Sequence, residues 1–133
     1  MATLIDASVL IAAERGQADL EALLADHEEE EFALAAITAS ELLHGVHRAA
    51  GPAQRNRREA FVERLLVVRP VIPFELTAAR VHARIGAKLA AQGATVGAHD
   101  LLIAATAIAY GAQVATRDQR SFPRVPGLVI LQW

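Results

Sequence analysis

The stretch HDLLIAATAIAYGAQVAT (His99–Thr116) decides how the rest of the chain is read. From Ala98 to Tyr110 the sequence is rich in alanine and leucine, strong helix formers, and Gly111 is the residue type that most often closes a helix. Gln113–Thr116 then reads as a short buried strand. Only Gly111 and Ala112 separate the two, so the predicted helix must run back antiparallel to the strand. Its first turn therefore lies beside the strand's carboxyl end. That places Asp100 at the edge where open α/β sheets bind their ligands.

The same reading extends in both directions. Thr3–Ile5 is a short strand ended by Asp6, Phe32–Ala36 is a run fit for a fully buried strand, and Val71-Ile72 is a minimal strand between Pro70 and Pro73. Leu128–Leu131 is the last strand. Helical patterns fill the intervals: Ser8–Ala13, Gln17–Asp26, Gln54–Leu66 and Thr77–Gln92, the last ended by Gly93. Thr38-Ala39-Ser40-Glu41 has capping-box spacing and is expected to open a helix carrying Leu42, Leu43 and Val46. In Gln54–Leu66, Phe61, Leu65 and Leu66 are expected inward and the arginines outward. Short apolar strands alternating with helices predict one α/β domain over residues 1–133, its parallel sheet covered on both faces.

Composition narrows the function classes. A chain of 133 residues is the length of a single domain and leaves no room for two independent cores. With 53% apolar and 21% charged residues it is not a disordered chain. The longest uncharged run, Leu101–Thr116, is too short for a membrane span and contains Thr106, Tyr110 and Gln113. The amino terminus meets Asp6 without a basic start, so no signal peptide is expected. The absence of cysteine removes disulfides, thiolate metal sites and cysteine nucleophiles, and is compatible with the cytoplasm. A net charge of −2 gives no overall pull toward nucleic acid, but the charge is uneven. Glu28–Glu31 is acidic, whereas Arg48, Arg55, Arg57, Arg58, Arg64 and Arg69 outnumber Glu59 and Glu63 in the following third.

Connectivity alone puts four acids on one rim. Asp6 follows the first strand, Asp118 lies two residues beyond Thr116, Glu41 is expected in the first turn of the helix leaving the second strand, and Asp100 is placed as above. Four carboxylates on one edge repel, and a hard divalent cation relieves that repulsion. Mg²⁺ prefers oxygen ligands and retains several waters, and no cysteine or dense histidine cluster competes for a softer metal. Each acid also has a plainer reading: Asp6 as a helix cap, Glu41 as the partner of Thr38, Asp100 as a charge at a helix's positive end, Asp118 as a turn residue. Ser8 and Thr116 offer hydroxyls beside the acids, or simple caps. Arg117 is a candidate phosphate contact and His99 a candidate substrate contact, or both are ordinary surface residues. His44 and His47 are expected to face solvent. The arginines of residues 48–69 either track phosphates or solubilise a helix.

With these residues in view, LIDASVLIA (Leu4–Ala12), TASELLHGV (Thr38–Val46), HDLLIAATAIAYGA (His99–Ala112) and ATRDQRSF (Ala115–Phe122) together resemble the PIN-domain family, specifically VapC-type toxins of toxin–antitoxin pairs. The resemblance implies a PIN-like three-layer fold with a parallel five-stranded sheet flanked by helices. It further implies a Mg²⁺- or Mn²⁺-dependent endoribonuclease that cleaves RNA phosphodiester bonds with metal-activated water. The implied catalytic and metal-binding acids are Asp6, Glu41, Asp100 and Asp118, supported by the hydroxyls of Ser8 and Thr116. A homodimer and a cognate VapB-type antitoxin are implied as partners. One departure stands out: many relatives carry asparagine where this chain has Asp118, and an acid where it has Ser121.

Rival readings fit less well. A receiver-like domain needs a lysine near the last strands, and Lys88 lies mid-helix elsewhere. A haloacid-dehalogenase-like phosphatase needs an aspartate at Ser8, and no P-loop sequence is present. The non-enzymatic alternative is a PIN-like interaction module that binds a partner and cuts nothing; four retained acids argue against it.

Overall fold

The computed structural model describes the whole chain, residues 1–133. Strands β1 (Ala2–Ile5), β2 (Glu31–Ala35), β3 (Val71–Ile72), β4 (Gln113–Thr116) and β5 (Ile130–Gln132) form one sheet in the order β3-β2-β1-β4-β5. Every neighbouring pair is parallel. The helices are α1 (Ala7–Glu14), α2 (Leu20–Ala25), α3 (Ala36–His47), α4 (Pro52–Val68), α5 (Leu76–Ala91) and α6 (Ala98–Tyr110), and a 3₁₀ turn covers Phe122–Arg124. None of the helices is long and apolar enough to cross a membrane.

Strand alternation builds two cores. Successive side chains of a strand point to opposite faces. Leu4, Ala33 and Val114 accordingly join Ile85 and Leu89 of α5 and Ile103 of α6 on one face. Ile5, Phe32 and Leu34 join Leu10 of α1, Leu42 of α3 and Leu65 of α4 on the other. The result is the expected three layers, with helices on both sides of a parallel sheet. The strand order reverses between β1 and β4: β2 and β3 extend the sheet on one side of β1, and β4 and β5 on the other. Such a reversal opens a crevice at the carboxyl ends of the two central strands.

Several boundaries differ from the sequence reading, each for a local reason. α3 begins at Ala36, not at a Thr38 cap, because β2 runs straight into it with Ala35 in an extended conformation. Thr38 is thus inside the helix, no capping box forms, and Glu41 falls in the second turn instead of the first. α2 starts at Leu20, where the Asp19 carboxylate accepts the Ala22 N–H at 3.1 Å. On α4 the fully buried residues are Val62 and Leu65, with Phe61 and Leu66 only partly covered. β5 begins at Ile130 because its register is set by β4, with Val114 opposite Ile130. α6 ends at Gly111, whose φ of 74° is the left-handed closure that its glycine permits.

Candidate active site

Asp6 is the centre of the crevice. It leaves β1 at the N-cap position of α1, and its own N–H continues the sheet by donating to the Ala115 carbonyl at 2.9 Å. The side chain makes no capping bond, so the cap reading of Asp6 fails. The buried carboxylate is held from the side: the Ser8 hydroxyl donates to Oδ2 at 2.6 Å and the Thr116 hydroxyl donates to the same oxygen at 2.9 Å. Each hydroxyl has a single proton and uses it here. The 3.3 Å approach of Ser8 to Thr116 is therefore a contact and not a third bond. The lone pairs of the same hydroxyls accept backbone donors, Arg117 N–H on Ser8 at 3.1 Å and Asp118 N–H on Thr116 at 2.9 Å. Both concentrate on Oδ2 and leave Oδ1 of Asp6 without a hydrogen bond from the chain.

Glu41 arrives from α3. Its Oε1 is buried with no hydrogen-bond donor, although His99 Nδ1 lies 3.4 Å away. That approach is an ionic contact when the imidazole is protonated, and it lacks the alignment of a hydrogen bond. It is also the only ion pair in the structure. Burial pushes the Glu41 carboxyl above the usual carboxylate range, the charges of Asp6 and Asp100 push the same way, and His99 opposes them. His99, exposed on α6, thus belongs to the rim.

Asp100 sits in the first turn of α6, where the connection through Gly111 and Ala112 was expected to put it. Burial raises its carboxyl above the usual range, the Ser121 hydroxyl opposes this, and the charges of Asp6 and Asp118 raise it again. Asp118 is tied into a turn: its Oδ1 accepts the N–H groups of Arg120 at 2.7 Å and Ser121 at 3.3 Å. The turn reading of Asp118 is therefore realised in the fold, while its charge still acts on Asp100. The charges of Asp6 and Asp100 act on Glu41, and those of Asp6 and Asp118 act on Asp100, which brings the four acids into one electrostatic neighbourhood. No three of them, with or without histidine, are arranged to ligate one ion together.

Two residues of the rim carry roles the sequence did not reveal. A Cβ on Gly97 would lie 3.2 Å from Asp100 Oδ2 and 3.9 Å from Ser121 Oγ, so the glycine leaves space for the carboxylate. Ser121 faces Asp100 and takes a long 3.5 Å contact from the Gly97 N–H. The glycine before α6 was a visible signal, but only its helix-starting role could be read from it. The Arg117 guanidinium donates to the Gln17 carbonyl at 3.5 Å. His44 and His47 are solvent-exposed, as expected.

A parallel sheet with carboxylates gathered at its central switch defines an acidic-crevice domain, and the comparison with known proteins identifies it. The sequence matches the PIN domain over residues 3–128, and the chain belongs to that family. Within the family it groups with VapC proteins. It is 34% identical over 131 residues to "Ribonuclease VapC" of Rickettsia bellii, covering 98% of this chain and 96% of that one. The fold matches DNA-bound VapBC from Salmonella typhimurium with a TM-score of 0.89 at 26% identity, covering 100% of this chain and 98% of that one. It also matches VapBC-5 of Mycobacterium tuberculosis with a TM-score of 0.78 at 34% identity, covering 98% and 96%.

Proposed function

We propose that the chain is the toxin of a toxin–antitoxin pair and acts as a Mg²⁺- or Mn²⁺-dependent endoribonuclease. The observation that carries this reading is an electrostatic imbalance. Burial and the charges of their acidic neighbours push the Glu41 and Asp100 carboxyls upward, Glu41 Oε1 is buried without a donor, and no arginine pairs with any of the four acids. A lone exposed imidazole is a poor counter-charge for such a rim. The donor set is oxygen only, which fits a hard divalent ion. That no three carboxylates converge also fits, since Mg²⁺ is commonly held by one or two carboxylates, with waters and substrate phosphate completing its shell.

In this reading Asp6, Glu41 and Asp100 would hold one or two ions between them, each ion on one or two carboxylates at a time, with Asp118 adding charge through the oxygen its turn leaves open. A bound divalent cation polarises a phosphoryl oxygen and lowers the pKa of coordinated water. The chain's own part is orientation. Ser8 and Thr116 fix the Asp6 carboxylate, Gly97 and Ser121 set the place of Asp100, and His99 stands at the open side of Glu41. Relatives named as ribonucleases support RNA as the substrate, and a Salmonella typhimurium relative, 35% identical over 102 residues, is named a tRNA(fMet)-specific endonuclease. Similar structures solved as VapBC complexes support a VapB-type antitoxin partner.

The test is cleavage of a labelled RNA by the purified protein. Activity should require Mg²⁺ or Mn²⁺, vanish with excess EDTA, and be lost in Asp100→Asn without loss of the folded state. Undiminished cleavage in EDTA would remove the metal from the proposal. No cleavage of any RNA by the metal-loaded parent would favour the interaction-module alternative.

A further inference from the structure

A second polar site adjoins the rim. Glu41 is shared between the acidic crevice and an open cavity of about 80 Å³ between α1, α3 and α4. Its walls are largely apolar, with Leu10, Leu42, Phe61 and Val62 among them, and its basic groups are Arg15 and Arg58. Arg58 is half-buried on α4 and is the fixed one: its Nη1 donates to the Gly45 carbonyl at 2.8 Å. It pairs with no carboxylate, although Glu14 and Glu41 line the same cavity. A half-buried guanidinium held by one nitrogen has most of its planar donor fork unfilled. Apolar walls strengthen any anion contact it makes, and the fork matches phosphate geometry.

We propose that this cavity is a phosphodiester subsite, in which Arg58, with Arg15 at the mouth, binds the RNA backbone phosphate next to the one presented to the acidic rim. The inference rests on RNA being the substrate. Chemistry favours phosphate over base: the cavity's unpaired donors are guanidinium groups, whose planar fork matches phosphate. Phe61 is its only aromatic residue, so there is no platform for stacking successive bases. Adjacency supplies the rest. With Glu41 as a common wall, a strand that places one phosphate at the rim carries its neighbouring phosphate past the cavity. Nothing in the subsite reads base identity, so it would bind RNA of any sequence.

The experiment is fluorescence anisotropy of a labelled RNA hairpin in Ca²⁺ buffer, with RNA integrity checked on a gel and melting temperature measured for each variant. Arg58→Gln should weaken binding about tenfold, the scale of one charge-assisted hydrogen-bonded contact. The slope of log affinity against log salt should become shallower by about 0.7, as expected for one lost single-strand phosphate contact. Arg58→Lys should fall between the two, because an ammonium keeps charge but loses the fork. Arg57→Gln, exposed on the same helix and outside the cavity, should change little. Parent-like RNA binding by Arg58→Gln with a lowered melting temperature would reduce Arg58 to a staple between α3 and α4, and would overturn the subsite while leaving the ribonuclease reading intact. Equal losses in Arg57→Gln and Arg58→Gln would also overturn it, in favour of diffuse attraction. A parent that binds no RNA would overturn both readings together.

Discussion

The two ends of the sheet handle buried polar groups in opposite ways. At the amino edge, Thr3 on β1 accepts from the Gln113 amide at 2.9 Å and donates to Glu30 Oε2 at 2.9 Å. Three side chains from three neighbouring stretches satisfy one another, and neither Thr3 nor Gln113 is left short. At the carboxyl edge, Asp6 and Asp118 have donors of their own, but Glu41 Oε1 has none and the carboxyls of Glu41 and Asp100 are both pushed upward. A satisfied network stabilises a fold, and an unsatisfied one is tolerated where a ligand completes it. The amino edge is therefore architecture, and the carboxyl edge is where the proposed cation would complete the network.

The largest expected effects separate these roles. Asp100→Asn should reduce cleavage by more than the ~10–100-fold typical of losing an outer partner of a metal site. Its metal-free melting temperature should hold or rise, because a repelled carboxylate is gone. Thr3→Val should do the reverse. Leaving Glu30 and Gln113 each short of a partner should lower stability by about 1–3 kcal/mol, read from denaturant unfolding, with the activity per folded molecule unchanged. If Asp100→Asn proved as destabilising as Thr3→Val, the contrast between the edges would collapse.

Much of this contrast could be read in the sequence, and the unread part has physical causes. The two-residue link from Tyr110 to Gln113 fixed the direction of α6 and so the location of Asp100; chain connectivity needs no knowledge of side-chain packing. Asp6 and Asp118 followed from strand ends in the same way. The Thr38 capping signal misled because its local preference was overridden by β2 passing directly into α3, with Ala35 as the extended residue. Contacts between distant segments were invisible: that the Ser8 and Thr116 hydroxyls meet on one oxygen of Asp6 depends on β1 and β4 being neighbours in detail. The same holds for the approach of His99 to Glu41 and for the tight space above Gly97.

Acidity should sharpen the comparison at an intermediate scale. With Glu41 and Asp100 raised above their ordinary values, the folded chain retains protons that the unfolded chain has already released. Stability from this source is therefore present below the unfolded values and is lost as pH rises through the folded ones. In EDTA, the melting temperature of the parent relative to a Glu41→Gln, Asp100→Asn double variant should decline between weakly acid and neutral pH. A flat difference across that range would show that the two carboxyls ionise without strain.

A smaller effect is expected at Gly97. Its φ of −55° suits alanine, so the backbone is not at issue. The added Cβ would press on Asp100 Oδ2 from 3.2 Å, and a carboxylate at the end of its side chain can yield by a few tenths of an ångström. Gly97→Ala should therefore weaken Mn²⁺ binding several-fold, within the range of outer-shell changes at metal sites, while leaving stability nearly unchanged. Unaltered Mn²⁺ affinity would mean that Asp100 does not need the position it holds.

The most direct measurement is a titration of the metal-free protein with Mn²⁺ at neutral pH, following the melting temperature. A saturable rise, abolished in Asp100→Asn, is expected, since an ion that binds only the folded rim stabilises it by mass action. A melting temperature that stays constant through millimolar Mn²⁺, or rises equally in the variant, would contradict a carboxylate crevice built to hold a divalent ion.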